Sequence, residues 1–177
     1  MTVPENMEGR CIVITGAGRG LGAAFAIVLA DAGAKVVLTG RTPGPLESTR
    51  DAITQRTGQH PDIQILDLSS PLDAAQIARD LAGRNNGIDG LINNAATWQT
   101  GSLADHDDAE IAAVINSHVT GSLLVTRALA PALTAAPAAD IINIVSTSGL
   151  PNTPLYGASV AFHAGKHGQA GMSEALR

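Results

Sequence analysis

Short apolar runs rich in β-branched residues alternate along this chain with longer stretches whose apolar positions recur at helical spacing. The pattern predicts strands over residues 10–15, 34–39, 62–67, 88–93 and 140–146. It predicts helices over residues 20–32, 45–57, 72–84, 107–135 and 157–176. Strict alternation of this kind implies a parallel sheet with right-handed crossovers and helices on both faces. The longest helix opens at Asp107, with Glu110 spaced as its reciprocal capping partner. Its apolar face runs through Ile111, Val114, Ile115, Val119, Leu123 and Leu129, and Pro131 is expected to kink or end it. No repeat, low-complexity segment or linker divides residues 1–177, which read as a single domain.

Between the first strand and the first helix lies Thr15-Gly16-Ala17-Gly18-Arg19-Gly20-Leu21-Gly22. Glycines permit φ > 0 and let backbone approach a pyrophosphate, whose charge is favoured by the free N–H groups of a helix start. Surface turns collect glycine too, but here a strand precedes, a helix follows and a second strand closes the βαβ unit. The turn therefore reads as a dinucleotide site. An acidic residue after the second strand would bond the 2′-hydroxyl of NAD, whereas this chain has Gly40-Arg41 there. Arg41 offers a planar fork to a 2′-phosphate and Arg19 a second cation, which favours NADP(H) unless both are simply solvated surface arginines.

Composition narrows the class further. The chain has 177 residues, 45% of them apolar and only 2% aromatic, so one core must be built mainly from small aliphatic side chains. The formal net charge is −5 and the 11 basic residues are scattered, which argues against nucleic acid or an anionic membrane as partner. Cys11 stands alone and cannot form an internal disulfide. The N-terminus lacks signal-peptide features and no apolar run reaches membrane-spanning length, so a cytoplasmic location is expected. His60, His106, His163 and His167 lack partners at metal-ligand spacing, and no metal is expected. No nucleophile-elbow pattern surrounds Ser146, which speaks against hydrolysis.

The glycine turn, read with Asn93-Asn94-Ala95-Ala96, resembles the short-chain dehydrogenase/reductase family. The similarity continues through Asp67-Leu68, Val119-Thr120-Gly121, Asn143-Ile144-Val145-Ser146, Lys166 and Gly171, nearly end to end. It implies a Rossmann-like, doubly wound sheet and hydride transfer between a nicotinamide and a ketone or secondary alcohol. By that resemblance Gly16, Gly18, Arg19, Gly20, Leu21, Gly22, Arg41, Asp67, Leu68, Asn94, Ala95 and Lys166 would hold the cofactor. Ser146 would hold the substrate oxygen, and Lys166 would stabilise a tyrosinate four residues before it. Ala96 replaces the family's usual glycine and is small enough to preserve binding.

Two positions depart from the family's chemistry. Four residues before Lys166 stands Phe162, whose ring remains while the proton donor is gone; Gly171 and the surrounding residues support this register. A rival register uses Tyr156, but Val160 then takes the lysine's place. His118 aligns with the family's active-site asparagine and reads either as a replacement acid or as a hydrogen-bonded buried histidine. The chain also ends inside its last helix, where the family continues through two more strands. A partial catalytic face is expected, together with a homo-oligomer or a partner chain covering the long helices, unless those faces are internal core. These features frame two functions: an NADP(H)-dependent oxidoreductase of doubtful own activity, or a non-catalytic NADP(H)-binding subunit or sensor. A pure assembly protein would predict no cofactor affinity.

Overall fold

The computed structural model describes residues 6–85, 87–152 and 157–176. Five strands form one parallel sheet: β1 (Cys11–Thr15), β2 (Lys35–Gly40), β3 (Asp62–Ile65), β4 (Gly90–Asn93) and β5 (Asp140–Asn143), in spatial order β3-β2-β1-β4-β5. The order reverses on either side of β1, so a crevice opens at the carboxyl ends of β1 and β4, the usual ligand position in such sheets. Six α-helices connect or follow the strands: α1 (Gly20–Asp31), α2 (Pro43–Thr57), α3 (Pro71–Arg84), α4 (Asp108–Ile115), α5 (Gly121–Ala135) and α6 (Val160–Ala175).

Burial on both faces explains the continuous apolar strands. Alternate residues of β1 point to opposite sides. Cys11 and Val13 join α3 and α5 in one core, while Ile12 and Ile14 join α1 and α2 in the other. With so few aromatics, both layers close through alanine, valine, isoleucine and leucine, and Ala26, Ala74 and Ala78 are fully buried at the helix–sheet contacts. Among the described residues no helix is long and apolar enough to cross a membrane.

Several boundaries differ from expectation. β3 and β5 stop at Ile65 and Asn143; Leu66 and Ile144 still donate to the Gly40 and Asn93 carbonyls of the neighbouring strands, and after β5 the chain then turns off, Val145 N–H bonding back to the Asn143 carbonyl at 3.1 Å. The expected helix over 107–135 begins as foreseen, with Asp107 and Glu110 exchanging cap hydrogen bonds. It is then interrupted by a π-helical segment, Asn116–Thr120. Pro131 does not end α5, which continues to Ala135; Leu133 in that last turn is buried against α3, and this burial offsets the lost backbone bond. Finally, α6 starts at Val160 rather than 157, with the Ser159 hydroxyl accepting the Phe162 N–H at 3.1 Å.

Candidate active site

A cleft of about 730 Å³ runs along the carboxyl edge of the sheet. Its floor at one end is the glycine turn. Gly16 and Gly20 have φ of +67° and +56°, the left-handed region that glycine tolerates. A Cβ at Gly16 would lie 2.9 Å from the Ala95 Cα, and one at Gly18 would lie 2.9 Å from the Pro45 Cβ. A Cβ at Gly22 would run into the Gly16 carbonyl oxygen. Backbone is thus packed on backbone, leaving the α1 amino terminus bare and free of acidic side chains in its first turn. Such a surface admits an anion against backbone N–H groups.

The loop after β4 locks this turn in place. Asn94 Nδ2 donates to the carbonyls of Thr15 and Gly16 at 2.9 and 3.2 Å. The Thr15 hydroxyl accepts the N–H groups of Asn94 and Ala95 at 3.0 and 3.1 Å and donates to the Ile92 carbonyl. Thr15 opens the turn quoted from the sequence, where no role was given to its hydroxyl. Arg19 and Arg41 both line the cleft and are exposed. Neither is held in an ion pair among the described residues. Asp67 and Leu68 line the same end, where the Asp67 carboxylate accepts from the Ser69 N–H and hydroxyl at 2.9 and 2.8 Å.

Ser146, Phe162 and Lys166 line the other end. Ser146 caps a short 3₁₀ turn, its hydroxyl accepting the Ser148 N–H at 3.1 Å. Lys166 is only 4% exposed; its Nζ donates to the Ile144 carbonyl at 3.0 Å and to Gln169 Oε1 at 2.7 Å. Burial pulls the Lys166 pKa down from 10.5 to about 8. Phe162 is 5% exposed and its ring centroid is 5.9 Å from Lys166 Nζ, so the pair expected four residues apart does share one site.

His118 lies behind this wall and is not among the lining residues. It is fully buried, and its ring meets that of Phe162 at 5.3 Å and 84°. Nδ1 lies 2.8 Å from the Val114 carbonyl, which can only accept, so Nδ1 carries the proton and the buried Nε2 has no partner. Burial lowers its pKa, the Val114 bond works against that shift, and the charge of Lys166 adds to the lowering. Tyr156 lies outside the described residues.

Sequence reasoning passed over several cleft residues, among them Trp98, Thr97 and Ser117. Trp98, 61% exposed, sets its ring edge-on to Phe162 at 4.6 Å. Thr97 and Ser117 meet hydroxyl to hydroxyl at 3.2 Å. Trp98 carried a signal, being the only tryptophan and two residues beyond Ala96.

The model of a family described as short chain dehydrogenase matches residues 10–177. The chain belongs to the short-chain dehydrogenase family. An uncharacterized oxidoreductase of Staphylococcus saprophyticus is 30% identical over 158 residues, covering 88% of this chain and 68% of that protein. The ketoacyl reductase HetN of Nostoc is 32% identical over 145 residues, covering 81% of this chain and 50% of its own length. A short-chain dehydrogenase from Shigella flexneri, solved in complex with NADP, superposes with a TM-score of 0.87 at 27% identity, covering 97% of this chain and 72% of that one. The chain thus spans between half and about three quarters of the length of these family members.

Proposed function

We propose that this chain binds NADP(H) along the cleft and serves an oxidoreductase reaction on a carbonyl compound or the corresponding alcohol. The observation that carries the reading is the pair of unpaired guanidinium groups, Arg19 and Arg41, at one end of a cleft whose floor only glycine can form. Gly40, the last residue of β2, and Arg41 just after it leave room and positive charge where a 2′-phosphate would lie. The Shigella flexneri relative solved with NADP supports the same assignment.

In this reading the Gly16–Gly22 turn and the start of α1 hold the pyrophosphate, Asp67 and Leu68 face the adenine end, and Asn94 and Ala95 flank the nicotinamide half. Lys166 holds the ribose, with Ile144 and Gln169 fixing its ammonium. The Ser146 hydroxyl orients the substrate oxygen. When bound, the cofactor supplies or accepts the hydride. Arg41→Asp replaces the phosphate fork with a carboxylate that repels it, so calorimetry is expected to show preference moving from NADPH to NADH. Unchanged preference would refute the role of Arg41.

A second reading, a non-catalytic NADP(H)-binding subunit or sensor, is favoured by one observation: Phe162 brings no hydroxyl to the site. Turnover against a carbonyl panel separates the two readings. Self-association belongs to the same proposal, since Leu123 on α5 and Val160 on α6 are exposed apolar residues on long helices. Sedimentation at micromolar concentration is expected to show a species larger than the monomer, and a monomer throughout would contradict it.

A further inference from the structure

The loop after β4 forms neither helix nor strand before Leu103, yet four consecutive residues of it are each held by a specific contact. Thr97 meets the Ser117 hydroxyl at 3.2 Å. The Trp98 ring stands edge-on to Phe162 at 4.6 Å. Gln99 meets Ser159 twice: its carbonyl accepts the Ser159 N–H at 2.8 Å, and its side-chain Oε1 accepts the Ser159 hydroxyl at 2.6 Å. Thr100 forms an isolated antiparallel bridge with Ala158, and its carbonyl lies 2.8 Å from His106 Nε2.

Trp98 is 61% exposed, and an edge-to-face ring contact is worth no more than the entropy of ordering a single residue. The ring pair alone therefore does not hold this loop, and an untied loop moves on the nanosecond to microsecond scale. Gln99 is set apart from its neighbours by what its partner does. Ser159 is 1% exposed and caps α6; its hydroxyl gives its one proton to Gln99 and receives the Phe162 N–H at 3.1 Å on a lone pair. A hydroxyl that donates is polarised into a better acceptor, so the Gln99 bond strengthens the cap. Trp98 directly precedes Gln99, and Phe162 lies three residues beyond Ser159. The ring pair and the hydrogen-bonded pair are thus adjacent cross-links between the same two segments, and both rings line the cleft beside Ser146 and Lys166.

We propose that Gln99 is a positioning residue of this cleft: through the Ser159 hydroxyl it staples the loop after β4 to the start of α6 and holds Trp98 against Phe162. The proposal rests on the reading above that this cleft is the reaction site. Gln99 itself touches neither reactant in this account. It acts through Ser159 on the wall that a bound substrate meets, while the glycine turn at the other end is held separately by Thr15 and Asn94.

Trp98 is the sole tryptophan, so its fluorescence anisotropy and its near-ultraviolet circular dichroism report on this wall in the full chain without any cofactor. Gln99→Leu is expected to lower the anisotropy by about a third or more, as the freed loop moves within the fluorescence lifetime, and to flatten the dichroism. Gln99→Glu keeps an acceptor for the Ser159 hydroxyl and is expected to restore both signals. Ser159→Gly removes the hydroxyl at a cap position that tolerates glycine; it should reproduce the loss, and the double variant should add nothing to it. Asn85→Ala, which removes hydrogen bonds to Lys35 and Leu81 at the far end of α3, should leave both signals unchanged. NADPH affinity by calorimetry is expected to stay within about twofold in Gln99→Leu, since the cofactor end is held by other contacts. Unchanged Trp98 signals in Gln99→Leu and Ser159→Gly, a loss in Gln99→Glu as large as in Gln99→Leu, or the same loss in Asn85→Ala would each overturn the proposal. Absence of NADPH binding by the unmodified chain, with the expected Trp98 response intact, supports the staple and overturns only the cofactor reading.

Discussion

Replacing Lys166 by methionine isolates the energetic cost of the buried ammonium. Burial lowers its pKa from 10.5 to about 8, which at roughly 1.4 kcal/mol per unit is a folding penalty of about 3 kcal/mol below pH 8. Between pH 8 and 10.5 the folded chain has released this proton and the unfolded chain has not. Stability therefore rises with pH across that window and levels off above it. At pH 7 Lys166→Met relieves the penalty but strands the Ile144 carbonyl and Gln169 Oε1, at about 1–3 kcal/mol for each buried acceptor. The two effects roughly cancel, so the variant is expected near wild-type stability at pH 7. Urea unfolding at intervals from pH 7 to 10.5 gives the decisive difference, since other titrating groups contribute alike to both proteins. Wild type is expected to gain about 3 kcal/mol on the variant across the window. Stability curves that run parallel from pH 7 to 10.5 would refute the reasoning.

Two further outcomes follow from particular contacts. His118 is held below its ordinary pKa of 6.5, so its imidazole is expected to stay neutral at pH 6.5 by NMR. Stability should then fall as pH drops through 6.5, where the unfolded chain binds the proton first, and His118→Asn should lose that component; titration at or above 6.5 would contradict this. Gly22→Ala drives a methyl into the Gly16 carbonyl, so a loss of about 1–3 kcal/mol and of cofactor binding is expected. Thermal unfolding and calorimetry check it, and an unchanged midpoint with intact binding would show that the turn relaxes.

Much of this arrangement was legible in the sequence because local rules and tertiary demands agree there. All five strands occur where apolar runs predicted them, and the glycine turn follows from sterics that only glycine satisfies. The register of Phe162 on Lys166 rests on i, i+4 geometry, which helix α6 preserves. The π segment was not legible, because the apolar period continues across it while the backbone gains a residue per turn. That extra residue reassigns the helix face: Ser117 reaches the cleft lining and His118 does not. Leu66 and Val145 extended the apolar runs of β3 and β5; Leu66 N–H still bonds the Gly40 carbonyl of β2, whereas Val145 has turned back on Asn143, and both side chains line the cleft. Trp98 reaches Phe162 only through the path of the loop after β4, which no periodicity encodes. Gln169 is three residues beyond Lys166 on the same face, a spacing the sequence displays but whose buried partner only the fold reveals.

The central claim is that the cleft is built for a 2′-phosphorylated nicotinamide dinucleotide. Calorimetric titration of the unmodified chain with NADPH and with NADH at the same ionic strength tests it most directly. Charge-assisted contacts from Arg19 and Arg41 are worth about 1.5–3 kcal/mol each, so NADPH is expected to bind at least about tenfold tighter. Equal or tighter binding of NADH, or no binding of either, would contradict the account.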